Sequence, residues 1–463
     1  MCRTATELDN CLIQEGPPRM SSHDHTPDVP ETASNAVSKA EGAPQQQSGY
    51  RYYVLGILMF VFGVNVLDRQ ILAILMEPVR QDLGLTDTHL GFLSGIAFAI
   101  FYATLGIPIA RIADRTSRKA VVSISLAAWS VMTALCGLAQ NFWHLLLARI
   151  GVAVGEAGGT PPSHSLLADY FSENQRATAL GIFSLGGPLG MMVGLFVAGL
   201  FNDAYGWRAT FMLLGLPGVV LAIIIWLTIR EPRREKPKTK AADPPVKDVF
   251  KMLWAQRSFR FMALATAIQM FVGYGLVQWY PAFFMRCHGL TTTQVGSYLA
   301  LMAGISGGLG TLLGGYAADK FAARDKRWLL WLPMWATFLA TPFYIGVFLV
   351  PNPIVAVCFM VLPTFLMNSF LGPIFSTTQG LVPSYMRATA AAVLLFVTNI
   401  IGLGLGPQAV GILSDLLRPT YGENSLRYAL LAVAMLTVAG AYFFWTAART
   451  LREDLERAKS MDN

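Results

Sequence analysis

The chain runs to 463 residues, 54% of them hydrophobic and only 14% charged, with 42 glycines and a net charge of +7. Soluble cores of ordinary size cannot hide that surplus of apolar surface, so lipid is the expected solvent. The basic residues sit in short links between apolar runs and form no single patch, which argues against a nucleic-acid partner.

Residues 1–49 are rich in Ser, Pro, Glu and Gln and poor in aromatics. They read as a disordered tail, without the apolar core of a signal peptide. Twelve apolar runs follow, each long enough to cross a hydrocarbon core of about 30 Å. The predicted spans are 52–76, 88–112, 119–139, 142–168, 177–201, 207–229, 259–285, 293–318, 327–349, 353–381, 388–416 and 425–448. The link between spans 2 and 3 carries Arg111, Arg115, Arg118 and Lys119. Nine basic residues crowd the link between spans 6 and 7, from Arg230 to Arg257, and the link between spans 8 and 9 holds Lys320, Arg324, Lys326 and Arg327. Links of the other parity carry only Arg80, Arg208, Arg286 and Arg418. By the positive-inside rule the basic links and both termini face the cytoplasm, and the cell (inner) membrane is the expected location. The domain reading is a cytoplasmic tail to residue 49, a six-helix bundle over 50–229, a cytoplasmic linker over 230–257, a second bundle over 258–449 and a tail over 450–463.

The two bundles repeat one another. Gly84-Leu85-Thr86 with Gly91 recurs as Gly289-Leu290-Thr291 with Gly296, at an offset of 205. Asp114-Arg115 recurs as Asp319-Lys320 at the same offset, and Arg176-Ala177-Thr178-Ala179 recurs as Arg387-Ala388-Thr389-Ala390 at an offset of 211. Three matches in order, at the same span ends, predict an all-α membrane protein of two six-helix pseudo-repeats. Facing repeats with a site near the midplane are the architecture of secondary transporters. The chain has no Gly-x-x-x-x-Gly-Lys loop for ATP. Its five cysteines (Cys2, Cys11, Cys136, Cys287 and Cys358) lack paired spacing, and no metal or other cofactor is expected.

Charges inside the spans carry the functional signal. Span 1 contains Asn65, Asp68 and Arg69, and span 4 contains Arg149 and Glu156. A charge at the bilayer centre costs about 2.5–3.5 kcal/mol unless it faces protein or water, so pairing among these residues is expected. Arg149 and Glu156 are seven apart and share one face of their helix, while Gly151, Gly155 and Gly159 form a second stripe suited to close packing. Two readings stay open for the charged group: a static salt bridge ordering spans 1 and 4, or proton carriage and solute binding. The second half offers Tyr274, Gln278, Trp279, Asn368, Thr398 and Asn399 among many Phe, Met and Leu residues. Together they predict a cavity with one charged wall and one apolar, aromatic wall, suited to an amphiphile with an ionic head. Ser163, His164 and Ser165 make no catalytic trio, since neighbours on a helix point apart, and no enzyme activity is expected.

Over 52–450 the chain resembles the major facilitator superfamily. Asp114-Arg115-Thr116-Ser117-Arg118-Lys119 is similar to its signature loop, departing from it at Ala110 and Ser117, where glycines are usual; Asp319-Lys320 looks like the second copy. Gly186-Gly187-Pro188-Leu189-Gly190 is similar to the antiporter glycine-proline signature, and Arg149 matches the span 4 arginine. Within the superfamily, Asn65-Val66-Leu67-Asp68-Arg69, Arg149 with Gly155-Glu156-Ala157, and Asp169-Tyr170-Phe171 with Arg176 resemble the spinster group. That resemblance implies a proton-linked carrier, acting by alternating access, of lysolipid or sphingosine-phosphate-like amphiphiles. Asp68 and Glu156 would serve proton coupling. Arg69, Arg149, Asn65, Tyr274, Gln278, Trp279, Asn368 and Asn399 would line the substrate site. Asp114, Arg115, Arg118, Arg176, Asp319, Lys320 and Arg387 would gate it. The expected partners are an anionic or amphiphilic solute, protons and membrane lipids, with the protein a monomer. The anion:cation symporters also show an Asp-Arg pair and a Glu-Ala here, which makes a small organic anion the alternative substrate.

Overall fold

The computed structural model describes residues 48–232 and 245–460, without the side chains of Ser48, Ile107, Asp114 and Glu173. The predicted tail before residue 48, the middle of the linker and the last three residues lie outside the described residues. Every regular element among the described residues is helical. The first half comprises α1 (Ser48–Leu83), α2 (Asp87–Ser94 and Ile96–Arg115), α3 (Arg118–Cys136), α4 (Phe142–Glu156 and Thr160–Tyr170), α5 (173–205) and α6 (207–228). A short linker helix, Val246–Ala255, precedes the second half. That half comprises α7 (Arg257–His288), α8 (292–322), α9 (Trp328–Leu349), α10 (Pro353–Met367 and Leu371–Gly380), α11 (387–421) and α12 (Ser425–Ser460).

Length and apolarity alone pick out nine membrane-crossing segments among the described residues. Two of these, of 55 and 77 residues, each hold two spans that turn back on one another, at Gly206 (φ 78°) and Gly422 (φ 56°). The interruption of α4 at residues 157–159 hides one more, and the twelve predicted spans are all present. α12 continues through the polar residues after 448 to Ser460, longer than its apolar run.

The repeat is visible in backbone geometry. Gly84 (φ 63°) and Gly289 (φ 65°) both adopt the left-handed conformation that glycine alone enters freely. Each is followed by a helix that opens with a capping box, Thr86 with His89 and Thr291 with Gln294. Within the first half, Gly63 of α1 meets Gly186 and Gly190 of α5, and Gly215 and Gly218 of α6 press on Ser130 and Ala134 of α3. Small residues at these crossings bring backbones close enough for dispersion to hold helices together in lipid. The predicted glycine stripe of α4 packs on α3: Gly151 against Met132, Gly155 against the Trp129 backbone, and Gly159 against the Trp129 ring.

Three apolar cores result among the described residues. The largest draws buried residues from both halves, from Ile71, Leu72 and Leu75 of α1 to Val272, Trp279 and Phe283 of α7, and it lies towards the end where α1 finishes. Towards the opposite end the buried core residues separate by half. Val54, Leu58, Val122, Leu166 and Ile225 form one set, and Val249, Phe259, Ile374, Leu394 and Phe444 the other. At the end of the shared core, α5 crosses α8, with Gly296 against Leu195 and Gly199 against Thr292. There α2 also crosses α11, with Gly91 against Pro407 and Gly95 against Gly404.

Candidate functional site

α1 and α4 supply the charged centre. The first segment of α4 ends at Glu156, whose side chain is fully buried, and the Arg69 Nε–H donates to Glu156 Oε2 at 2.7 Å. Arg69 makes a longer contact to Asn65 Oδ1 at 3.4 Å. Asp68, one residue before Arg69, is fully buried on a different face of α1 and accepts from the Thr133 hydroxyl of α3 at 3.3 Å. Among the described residues no ion pair is recorded for Asp68. Arg149, 3% exposed, is close enough to act electrostatically on both Asp68 and Glu156.

Phe98 of α2 joins the two cations. The Arg69 guanidinium lies 5.0 Å from its ring centroid and the Arg149 guanidinium 5.3 Å, with Tyr102 4.7 Å from Arg69. Cation–π contact of this kind offsets part of the desolvation of a buried guanidinium. On the charged and amide side chains of the cluster, four buried polar atoms have no hydrogen bond among the described residues: Asn65 Nδ2, Asp68 Oδ1, Arg149 Nε and Glu156 Oε1. Buried polar atoms are nearly always satisfied, so the hydrogen-bonding capacity of this cluster is not used up by the side chains around it.

The expected second-half residues fall in several different surroundings. Tyr274 of α7 is half-buried, on the second-half side facing the neighbourhood of Arg69 and Tyr102. Trp279 does not line the centre: it is fully buried in the shared core, and its indole N–H donates to the Pro407 carbonyl at 2.9 Å. Asn368 turns its amide back to the Thr364 carbonyl at 2.7 Å, at the interruption of α10 and beside Gly307 of α8. Thr398 likewise bonds the Leu394 carbonyl at 2.8 Å. Gln278 and Asn399 are half-buried, the latter just before a π-helical turn at Ile400–Leu405. Ser163, His164 and Ser165 point apart: Ser163 bonds the Gly159 carbonyl, His164 packs on Phe183 and Ser165 accepts from Arg118.

Of the expected gating residues, Arg118 is the most organised. It is 2% exposed and pairs with Asp169 at 2.6 Å and Glu231 at 3.0 Å. Glu231 also accepts from the Ser117 hydroxyl and from the backbone N–H groups of Arg118 and Lys119, tying the end of α6 to the start of α3. Burial pushes the Glu231 carboxyl up, but these donors prevail and hold it below the usual glutamate range. Arg176 donates to the Ala168 carbonyl at 2.8 Å. Arg115, Asp319, Lys320 and Arg387 are exposed, and the Asp114 side chain lies outside the described residues.

The strongest polar seam between the halves turns on Arg286, which the Lys/Arg count treats as one more link arginine, and on acids that the count leaves aside. Arg286 of α7 donates twice to Asp87 of α2, at 2.7 and 2.6 Å, and also pairs with Glu77 of α1. Asp415 of α11 accepts from the first backbone N–H groups of α2, Asp87 at 3.2 Å and Thr88 at 2.7 Å. Asp203 of α5 accepts from the Thr293 N–H at 2.8 Å and the Thr292 hydroxyl at 2.5 Å, at the start of α8. Asp203 and Asp415 are separated by 212 residues, and Thr88 and Thr293 by 205, so the seam obeys the internal repeat. Each half thus caps a helix of the other. The missed signal was the position of these acids at span ends, opposite the repeated Gly-Leu-Thr turns.

A buried charge cluster beside the junction of two repeated six-helix bundles is the arrangement expected of a secondary transporter. The Major Facilitator Superfamily model matches residues 58–407, and the chain belongs to that family. An MFS-type efflux pump of Mycolicibacterium smegmatis is 35% identical, over 92% of this chain and 99% of that one. A sphingosine-1-phosphate transporter of Danio rerio is 25% identical, over 88% of this chain and 86% of its own length. Among solved structures, a bacterial homologue of the human lysosomal transporter spinster, inward-facing and unoccupied, superposes with a TM-score of 0.80 at 32% identity, covering 88% of this chain and 98% of that one. Within the superfamily the chain is spinster-like.

Proposed function

We propose that this transporter carries an anionic, lipid-like solute by proton-coupled alternating access. The observation that carries the reading is the set of four unpartnered buried polar atoms on Asn65, Asp68, Arg149 and Glu156. Arg69 and Arg149, seated on Phe98, take the anionic head, and Tyr274 lies on the opposite wall. Asp68 carries the proton, because Arg69 is engaged by Glu156 and leaves Asp68 without a fixed ionic partner. Glu156 competes with the solute for Arg69, which links head-group binding to the charge state of the site.

Both termini and the Arg118–Glu231 clamp face the cytoplasm in this reading, following the basic links. The seam of Arg286, Asp203 and Asp415 then closes the outer face, and the separate cores at the other end correspond to an inward-open state. The likeness to an inward-facing spinster homologue supports that assignment. Asp114, Arg115, Arg118 and Arg176, with Asp319, Lys320 and Arg387, serve the opposite closure. The protein works as a monomer in the cell membrane.

A thermal-shift screen of the purified protein tests the substrate class, since ligand binding raises apparent stability. Lysolipids and sphingoid phosphates should stabilise the wild type, and Arg69→Ala should lose most of that shift. Stabilisation by small organic anions alone, such as hexuronates, would replace the amphiphile reading with the small-anion one.

A further inference from the structure

The linker helix Val246–Ala255 has three faces. Val249 and Leu253 are fully buried against the second half. Val246, Phe250 and Trp254, spaced by four, form an exposed apolar stripe within an arc of about 80°; they are 61%, 41% and 49% exposed, and the two rings stack at 5.4 Å. Lys247 and Lys251 are exposed along the far edge of that stripe. Asp248 lies on the side away from it, about 160° around from Phe250. The order around the helix is therefore buried, apolar exposed, basic. A helix solvated on its outer side has no use for a stacked Phe–Trp pair there, whereas a helix lying along a membrane interface needs that order.

We propose that the linker helix docks on the anionic headgroup surface of the bilayer, with Phe250 and Trp254 at the acyl boundary and Lys247 and Lys251 on lipid phosphates. Its place supports this occupant. The helix ends one residue before α7, and Gln256 between them is pinned to the Leu381 carbonyl at 2.7 Å. It therefore sits where a spanning helix leaves the hydrocarbon. Exposed Arg257 and Arg260 at the foot of α7 extend the basic rim. Long basic side chains reach from an apolar face to the headgroups, and Trp is favoured at that depth. The leaflet involved is cytoplasmic under the topology above; the docking itself does not depend on which side that is, nor on the solute.

The test is depth measurement in the full chain. Single nitroxides are placed by Phe250→Cys, Trp254→Cys and Asp248→Cys, with the native cysteines replaced, in nanodiscs of phosphatidylcholine with and without phosphatidylglycerol. Positions 250 and 254 should be relaxed by oxygen and shielded from an aqueous nickel chelate, with 248 showing the reverse. Adding phosphatidylglycerol should deepen 250 and 254, and Lys247→Gln with Lys251→Gln should abolish that shift. Chelate access at 250 and 254 equal to that at 248 would overturn the proposal and leave the stripe to a protein partner. A depth indifferent to phosphatidylglycerol would overturn the anionic-headgroup assignment. Because the readout is independent of flux, its failure is distinguishable from failure of the transport reading.

Discussion

Arg69 is held by Glu156, while Asp68 beside it is not, and that asymmetry decides what each substitution does. Glu156→Gln removes the carboxylate that neutralises Arg69 and leaves the guanidinium on Phe98, Tyr102 and the Asn65 carbonyl oxygen. Breaking a fully buried pair costs about 3–5 kcal/mol. The Arg69 side chain is 23% exposed, so the loss should fall below that range yet still lower the thermal midpoint in detergent. An unchanged midpoint would mean that the pair contributes nothing to the fold. The charged residues themselves were legible because each interrupts an apolar run. Pairing among them was expected too, but the seat of both guanidiniums on Phe98 was not, since helix rotation and side-chain reach decide it. Trp279 shows the same limit: an aromatic residue in a span reads alike whether it faces a cavity or, as here, packs in a core with its N–H on Pro407.

At the scale of elements, the helices meet through particular glycines and caps. A methyl group on Gly155 would stand 2.7 Å from the Trp129 backbone nitrogen. Overpacking of this kind costs about 1–3 kcal/mol, so Gly155→Ala should reduce the yield of folded protein on size-exclusion chromatography, whereas Gly56→Ala, with open space around it, should not. The clamp at the start of α3 gives a pH signature. The Glu231 carboxyl is held below its usual range, so its contribution is complete above the unfolded glutamate value of about 4.3. The contribution declines as pH falls through the lowered folded value. Glu231→Gln should therefore lower the thermal midpoint near neutrality, and the difference from wild type should vanish in acid. A difference that persisted in acid would contradict the assignment. Span positions were legible from apolar length. The interruptions at residues 157–159 and 368–370 and the π-helical turns of α8 and α11 were not, because hydropathy carries no information about hydrogen-bond register.

For the whole molecule, the repeat appears as sequence matches, as paired left-handed glycines and as reciprocal caps across the seam. Each cap is worth about 0.5–2 kcal/mol. If the seam closes the outer face, Asp203→Ala or Asp415→Ala should shift the inward-to-outward ratio by roughly two- to thirtyfold towards outward. Spin-label distance distributions across the outer ends of α5 and α8 read that shift, and identical distributions would remove these caps from the gate. The repeat makes this architecture legible in the sequence. The seam escaped because Arg286 resembles one more link arginine until Asp87 and Glu77 are seen around it. The central claim is that Asp68 couples a proton to solute movement, and proteoliposomes reporting proton and solute flux together test it most directly. Asp68→Asn should abolish gradient-driven transport while solute binding survives. Full gradient-driven transport by Asp68→Asn would contradict proton carriage and leave the buried charges as a static brace between α1, α3 and α4.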